Sequence, residues 1–518
     1  MMRSYDRRSI SRRGAIALGL SGLAIAVQPG IARAAQAPMG GTLRVGMGAT
    51  GPSEPIDPVT GFSSQTLPFI QFDRLTWMSA DQRVVPELAT SWESNPALSR
   101  WTFHLRTDVK FHDGKPLTSN DVVRTFQRML HPKLASQAYR IFSLVLDSDG
   151  IRAQDDHTVV FNCKAPCWNL PALVSDSHVS IVPADSPMDE YITKPIGTGA
   201  FMFAEYSPGN YLYTTRNPNY WRKGYPTLDG IRVFNVADVA QRAAGLVSNQ
   251  FDLIIDLSAV AVESLKTNPQ YKISSIRSGN CMNFNMAADQ KPFDDNRVRT
   301  ALKLACDRQG LVNVVWLGEA TVGNDQPISP ASRLHTNLPA PPYNVARAKE
   351  LLAQAGYPNG IDLTLTTGPI AVGAVEQAVA YKQQAAAAGI RINVSQVPAS
   401  GYYYNVDAGK WNFFVEPWTM RPDDALFFIE YAPRGTTIPP THWTPPQYLR
   451  MLNTAREAAG TKDRLAKFAA LSKFVAEEGP SVSPVYTNNI DAHSIKVLNY
   501  EPNPVAFYRT YWNLGLRG

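Results

Sequence analysis

The sequence predicts an α/β protein built from more than one domain, and three observations carry that prediction. The chain has 518 residues, too many for a single hydrophobic core. Residues 361–394 read strand, alanine-rich helix, strand, the spacing of a parallel crossover. Residues 101–130 read strand, turn, capped helix, with every local signal agreeing.

The stretch 101–130 shows why. Trp101, Phe103 and Leu105 alternate with Thr102, His104 and Arg106, the pattern of a half-buried strand. Asp113-Gly114 marks a turn, because glycine reaches positive φ at little cost. Thr118 followed by Asp121 has the form of a capping box, and Leu117 with Val122 can form a hydrophobic staple. Val122, Val123, Phe126, Met129 and Leu130 recur at helical spacing. His104 and His112 lack a companion at metal-ligand spacing, which favours a structural role.

Other elements follow in order. Thr42 to Met47 reads as a first strand, and His157 to Asn162 as a later one. Gly197-Thr-Gly199 leads into the strand Phe201 to Tyr206. No lysine or helix follows it, so the glycines predict close backbone packing rather than a phosphate loop. A helix at Val239 to Ser248 precedes a buried-looking strand, Phe251 to Leu257. Asn283 and Asn285 alternate with Met282, Phe284 and Met286. Asp294-Asp295 opens a helix from Asn296 to Asp307, where acids offset the dipole. Asn344 caps a helix that Gly356 and Pro358 end. A strand at Ile361 to Leu365, a helix at about Val372 to Ala388 and a strand at Ile390 to Val394 form the crossover, and a last helix covers Asp463 to Glu478.

Hydrophobic content of 44% and charged content of 18% describe an ordinary globular protein. The net charge of +6 is concentrated: residues 1–34 carry +5 and the remainder only +1, so no global basic surface points to nucleic acid or membrane. Ser11-Arg12-Arg13-Gly14, the short apolar run Ala15 to Val27 and Ala32-Arg33-Ala34 form a bacterial export signal, with cleavage expected after Ala34. Its paired arginines and weakly apolar core resemble the twin-arginine type, although an ordinary secretory signal fits too. The mature chain is expected to be soluble and periplasmic.

In that compartment disulfides are permitted. Cys163 with Cys167 could form a local bridge, and Cys281 with Cys306 a second. No metal site and no cofactor are expected. No GxSxG, HExxH or P-loop sequence is present. The chemistry therefore points to binding without turnover. The alternative is a secreted hydrolase using Asp423 or Asp424 as acid or base.

Eleven aromatic residues lie between Tyr402 and Trp443. Trp411 to Val415 reads as a buried strand, and Trp418-Thr-Met-Arg421-Pro-Asp423-Asp424 is the polar loop after it. Ligands of open α/β sheets sit beyond the carboxyl ends of strands, and an aromatic wall with a few placed charges suits a small solute. The bland reading of this loop is an Arg421 ion pair with Asp423 or Asp424 that braces it.

Several stretches together resemble the extracytoplasmic solute-binding proteins of family 5, which serve peptide, nickel and opine ABC importers. They are Pro86-Glu-Leu-Ala with Trp92, the run from Trp101 to Val123, Gly197 to Phe201, Arg216-Asn-Pro-Asn-Tyr-Trp221, Leu228-Asp229, Pro292 to Arg299 with Asp307-Arg308, and Ala348 to Pro358. The resemblance implies a type II periplasmic-binding-protein fold of the large class: two lobes, a two-stranded hinge and an inserted subdomain. Lobe I is expected at 39–274 plus 487–518, with the insert at 75–195, and lobe II at 275–486. The hinge crossings would fall near Ser275–Asn280 and Pro484–Asn488. The implied partners are a small or peptide-like ligand and the membrane subunits of an ABC permease, and the implied state is a monomer.

Peptide-binding members place an aspartate three residues after the tryptophan that matches Trp418. Here that residue is Arg421, which argues against the same grip on a free peptide amino terminus. Opine-type members carry Trp-Ser-Gly-Arg followed by Asp-Pro-Asp, close to this sequence but not identical. Arginine can grip a carboxylate or phosphate through two nitrogens, so an anionic group at Arg421, packed by Trp418, is expected. Asn283 and Asn285 are either further ligand contacts or hydrogen bonds near the hinge.

Overall fold

The computed structural model describes residues 40–48, 56–59, 66–134, 136–421, 431, 441–458, 460–505 and 509–518. The predicted export signal and both Asp423 and Asp424 lie outside these residues. The first strand, β1 (Thr42–Met47), pairs in parallel with neighbours on both sides. An insertion then builds its own four-stranded sheet from β2 (Ala89–Ser94), β3 (Arg100–Leu105), β4 (Leu146–Asp155) and β5 (Thr158–Cys163), in the order β2-β3-β5-β4. The helix α1 (Ser119–Met129) packs on it.

Local chemistry sets these elements as expected. Trp101, Phe103 and Leu105 are buried while Thr102 and His104 are part-exposed. The Asp121 carboxylate accepts from the backbone N–H of Thr118 at 2.6 Å, and Leu117 and Val122 enter the same core. His104 pairs with Glu93 at 3.2 Å. His112 bonds the Gly199 carbonyl at 3.0 Å and the Gly197 N–H at 3.2 Å, fastening the insert's turn to the glycine loop. A Cβ on Gly197 or Gly199 would stand 2.1 or 2.4 Å from Gln71 backbone atoms, so both glycines are there for close approach. Strand β4 was not foreseen; its exposed run Asp147–Gly150 hides the alternation.

After the insert the chain forms β6 (Phe201–Ser207), β7 (Tyr211–Arg216), β8 (Gly230–Asn235), the two-residue β9 (Leu253–Ile254) and the long β10 (Tyr271–Met286). The predicted strand Phe251–Leu257 is shortened to β9, and Asp256 at φ 57° stands just beyond it. Helix α2 (Asn296–Leu304) is capped by Asp295, and α3 (Val345–Gln354) by Asn344, as their sequences indicate. Then β11 (Ile361–Thr367), α4 (Ala374–Ala386) and β12 (Ile390–Gln396) form the crossover, with the strands parallel from Ile361↔Ile390 to Thr367↔Gln396. The chain continues through β13 (Phe413–Trp418) and α5 (Thr461–Glu478) to β14 (Val485–Ser494).

Outside the insert, the strands named here join one sheet in the order β12-β11-β13-β10-β14-β9-β1-β8-β7-β6. β10 and β14 are its middle. One half of the sheet hangs on β14 through β9 and β1, and the other on β10 through β13. Their pairing is regular from Tyr271↔Ser494 to Ile276↔Asn489, slips, and resumes at Asn280↔Thr487. Separate cores flank the halves: one contains Leu43, Val45, Ile231 and Leu253, the other Phe284, Leu302, Leu365 and Tyr381. Burial of these apolar faces supplies the main drive for folding, at roughly 25 cal/mol per Å².

The four cysteines carry thiols and not disulfides in this structure. The expected pairing of Cys281 with Cys306 is corrected by their positions. Cys281 packs with the insert's core, while Cys306 is fully buried in the core around Phe284, where burial pushes its thiol up to about 12. Cys163 and Cys167, the other expected pair, are likewise thiols here. The two thiols are in hydrogen-bond contact, and that contact lowers the Cys163 thiol.

Candidate solute site between the two halves of the sheet

Strand β13 runs antiparallel to β10 and places Trp418 opposite Cys281, Glu416 opposite Asn283 and Phe414 opposite Asn285. Alternation puts Trp418 and Glu416 on one face. Asn283 and Asn285 are fully buried, and Asn285 donates to Glu416 at 2.6 Å. For Asn285 the geometry is the hydrogen-bond alternative.

Trp418 ends the strand and packs into the insert's core with Cys281 and Tyr486. Met420, two residues on, enters the core of the first half of the sheet, with Met47, Ile70 and Met78. Arg421 then meets the insert. Its Nη1 donates to Asp176 Oδ2 at 3.0 Å and lies 3.3 Å from Oδ1 and from His178 Nδ1. The expected partners of Arg421, Asp423 and Asp424, lie outside the described residues; among those described, the ion pair is with Asp176, 245 residues away.

Asp176 and His178 come from a turn after a short helix, Leu170–Leu173. Asp176 Oδ1 accepts from the backbone N–H of His178 at 3.0 Å and lies 2.8 Å from His178 Nδ1. The carboxylate there makes Nδ1 the protonated nitrogen and Nε2 the acceptor. Burial alone would push the Asp176 carboxyl up. The Arg421 charge and the His178 hydrogen bonds outweigh it and hold the carboxyl well below its usual range. Burial pushes the His178 imidazole down, keeping it neutral at pH 7 despite Asp176. The centre therefore holds one positive and one negative charge.

Three polar atoms around this pair have no hydrogen-bond partner among the described residues: Arg421 Nε, His178 Nε2 and Trp418 Nε1. Arg421 is 8% exposed, His178 2% and Trp418 9%. Buried groups of this kind are ordinarily bonded. A further contact joins α5 to the insert: the Arg464 guanidinium lies 4.2 Å above the Trp168 ring. Sequence reasoning singled out Trp418 and Arg421 but missed Asp176 and His178. Their signal was the polar tetrad Ser175-Asp-Ser-His178 between the apolar runs Leu170–Val174 and Val179–Val182, all of it buried.

Residues 83–438 match the model of the bacterial extracellular solute-binding proteins, family 5 Middle. The heme-binding protein A of Haemophilus influenzae is 29% identical over 310 residues, 55% of this chain; the chain spans 56% of that protein's length. The glutathione-binding protein GsiB of Escherichia coli O157:H7 is 26% identical over 502 residues, covering 94% of this chain and 95% of the relative. Among solved structures, the ABC transporter-associated periplasmic binding protein DppA of Helicobacter pylori, in complex with the peptide STSA, superposes with a TM-score of 0.83 at 23% identity. That match covers 93% of this chain and 99% of the other. The binding protein AgaA of A. tumefaciens R10, in complex with agropinic acid, gives 0.83 at 24% identity over 92% and 99%. The fold is the two-lobed periplasmic-binding-protein fold, and the chain belongs to the bacterial extracellular solute-binding proteins of family 5.

Proposed function

We propose that this chain is the periplasmic receptor of an ABC importer, capturing a small peptide-like or opine-like solute between its lobes and delivering it unchanged to a membrane permease. The observation that carries the reading is the Arg421–Asp176 pair, which joins the loop after β13 to the insert beside Trp418. A solute that touches both sides at once favours the closed arrangement, because only there are all its contacts made. The named ligands of relatives, a peptide, glutathione and agropinic acid, are of the proposed size and polarity.

The pair also refines the head group. A bare anion at Arg421 would leave Asp176 buried and unpaired, at a cost of about 3–5 kcal/mol. A head with a carboxylate for Arg421 and an adjacent ammonium or N–H donor for Asp176 keeps both charges paired. Trp418 packs against it, and Asp423 and Asp424 complete the loop. The lobes are read as 39–274 plus 487–518, with the insert at 75–195, and 275–486. Export follows the twin-arginine signal in residues 1–34, and the mature chain acts as a monomer. Among the described residues, no helix is long and apolar enough to cross a membrane.

Mass spectrometry of compounds that co-purify with the protein, followed by a thermal-shift panel of peptides, opines and sugar phosphates, tests the reading. A recovered, unmodified zwitterion that raises the melting temperature supports it. Conversion of the compound during incubation would establish the hydrolase instead, and unchanged affinity in Arg421→Ala would remove Arg421 from the site.

A further inference from the structure

The slip in the pairing of β10 with β14 is occupied by a chain of amide groups that leads to the solute loop. Asn280 Oδ1 accepts from the Met420 backbone N–H at 2.9 Å, and Asn280 Nδ2 donates to Asn489 Oδ1 at 2.7 Å. Asn489 Nδ2 donates in turn to the carbonyls of Asn503 at 2.9 Å and Pro504 at 3.0 Å. Ser278, inside the slip, donates to the same Pro504 carbonyl at 2.6 Å and accepts from the Asn280 N–H at 3.2 Å. Asn503 Nδ2 reaches Met78 O at 3.3 Å, at the edge of the core that Met420 enters.

The chemistry of the two ends fixes the direction of this chain. A backbone N–H only donates, so Asn280 must turn its oxygen to Met420. Backbone carbonyls only accept, so Asn489 must turn its nitrogen to residues 503 and 504. The remaining oxygen of Asn489 then faces the remaining nitrogen of Asn280, a match that neither amide can flip without losing bonds at both ends. Met420 is seated beside this chain with equal closeness: a Cβ on Gly279 would stand 2.5 Å from Met420 Cγ and 2.8 Å from its Cβ. The segment between Trp418 and Arg421 is thus held to the hinge by one hydrogen bond and one bare Cα.

We propose that Asn280 is a positioning residue that couples the hinge to the solute loop. Its side chain can hold the Met420 N–H and Asn489 together only while β10 and β14 stand in the register that places Asn280 beside Thr487 and Ile276 beside Asn489. Hinge setting and placement of Trp418 and Arg421 become one event. The proposal rests on the reading of Trp418 and Arg421 as the solute site, but it is tested without a solute.

The test is backbone hydrogen exchange across residues 419–421 of the full-length protein, without added ligand, in the native chain and three variants. Asn280→Ala is expected to speed exchange of the Met420 amide at least tenfold, with the amides of β13 unchanged. Asn280→Asp keeps the acceptor for Met420 but loses the donor to Asn489, so it is expected to protect Met420 better than Asn280→Ala while still exchanging at least threefold faster than the native chain. Asn489→Ala touches neither Met420 nor the site, yet it releases Asn280 and is expected to speed Met420 exchange at least threefold. Unchanged Met420 exchange in Asn280→Ala overturns the proposal. An effect of Asn280→Ala without any effect of Asn489→Ala also overturns it, because Asn280 would then be a clip within the loop and not a link to the hinge. If Asn280→Ala fails to fold, the Asn280→Asp and Asn489→Ala measurements decide by the same criteria. A failure of the solute reading itself appears separately, as unchanged affinity in Arg421→Ala.

Discussion

Two buried arginine–aspartate pairs in this protein have the same chemistry and different surroundings. Arg509 and Asp491 are 18 residues apart. Arg509 grips with two nitrogens, Nη2 at 2.8 and 3.0 Å and Nε at 3.1 Å. Asp491 also accepts from the Tyr500 hydroxyl and from the Asp256 N–H. Arg421 and Asp176 are 245 residues apart, joined through Nη1 alone, with Nε unused among the described residues. The first pair is enclosed, with the Asp256 carboxylate 3.5 Å from Arg509 Nη2 as a second acid beside it. The second lies between the loop after β13 and the insert, where separation of the two returns Asp176 to water. The two pairs differ in how many nitrogens grip the carboxylate and in what encloses them.

That contrast can be broken by mutation. The largest effect is expected from Arg509→Met, which leaves Asp491 charged and enclosed: a loss of about 3–5 kcal/mol in denaturant unfolding. Arg421→Met should cost clearly less, because the cleft can open around Asp176. Equal losses would end the distinction. Next comes binding. Arg421→Ala is expected to weaken the recovered solute about 10- to 100-fold by calorimetry, the value of one charge-assisted bond. Arg509→Met, where folded, should leave affinity within about threefold, since it lies outside the site.

A smaller effect is expected at Asp176→Asn, which keeps the shape and removes the negative charge. It should lower the preference for a zwitterionic solute over its N-acylated form about tenfold, the cost of a lost charge-assisted contact. An unchanged ratio would show that Asp176 does not meet the ammonium.

The smallest effect concerns a third pair, Arg74 and Glu87, 3.5 Å apart. Burial pushes the Glu87 carboxyl up to about 7, against the opposing pull of Arg74. The unfolded chain ionises this group near its ordinary value, about 4.5. Between those values the folded state holds the extra proton, so stability falls as pH rises from about 4.5 to 7 and levels off above. Glu87→Gln should flatten that slope in melting temperature against pH. An unchanged slope would assign it to other groups.

The same contrast explains what could be read from sequence. Strand β3, the Thr118–Asp121 cap, the Asn344 cap and the β11–α4–β12 crossover are written in residues within a few positions of one another, and the structure has them all. Trp418 and Arg421 were legible as a polar loop beyond a buried strand. Asp176 was harder to read: the polar tetrad 175–178 marks a polar turn between apolar runs, but nothing local names a partner 245 residues away. Asn280 and Asn489 are hidden for the same reason: each is an ordinary polar residue until the hinge strands pair. Export makes bridges plausible from sequence; in the structure three of the four cysteines are buried among apolar side chains.

The slip between Ile276 and Asn280 also carries the phase of the sheet. Side chains on a strand alternate, so the residues at 277–279 determine which face each later residue of β10 takes. As built, Met282, Phe284 and Met286 face the second core and Asn283 and Asn285 face away from it. Removing one residue from the slip would exchange those sets, turning two asparagines into a hydrocarbon core and three large apolar side chains out of it. The slip therefore cannot be shortened by one residue: its length is part of the code that tells this half of the sheet which side is inside.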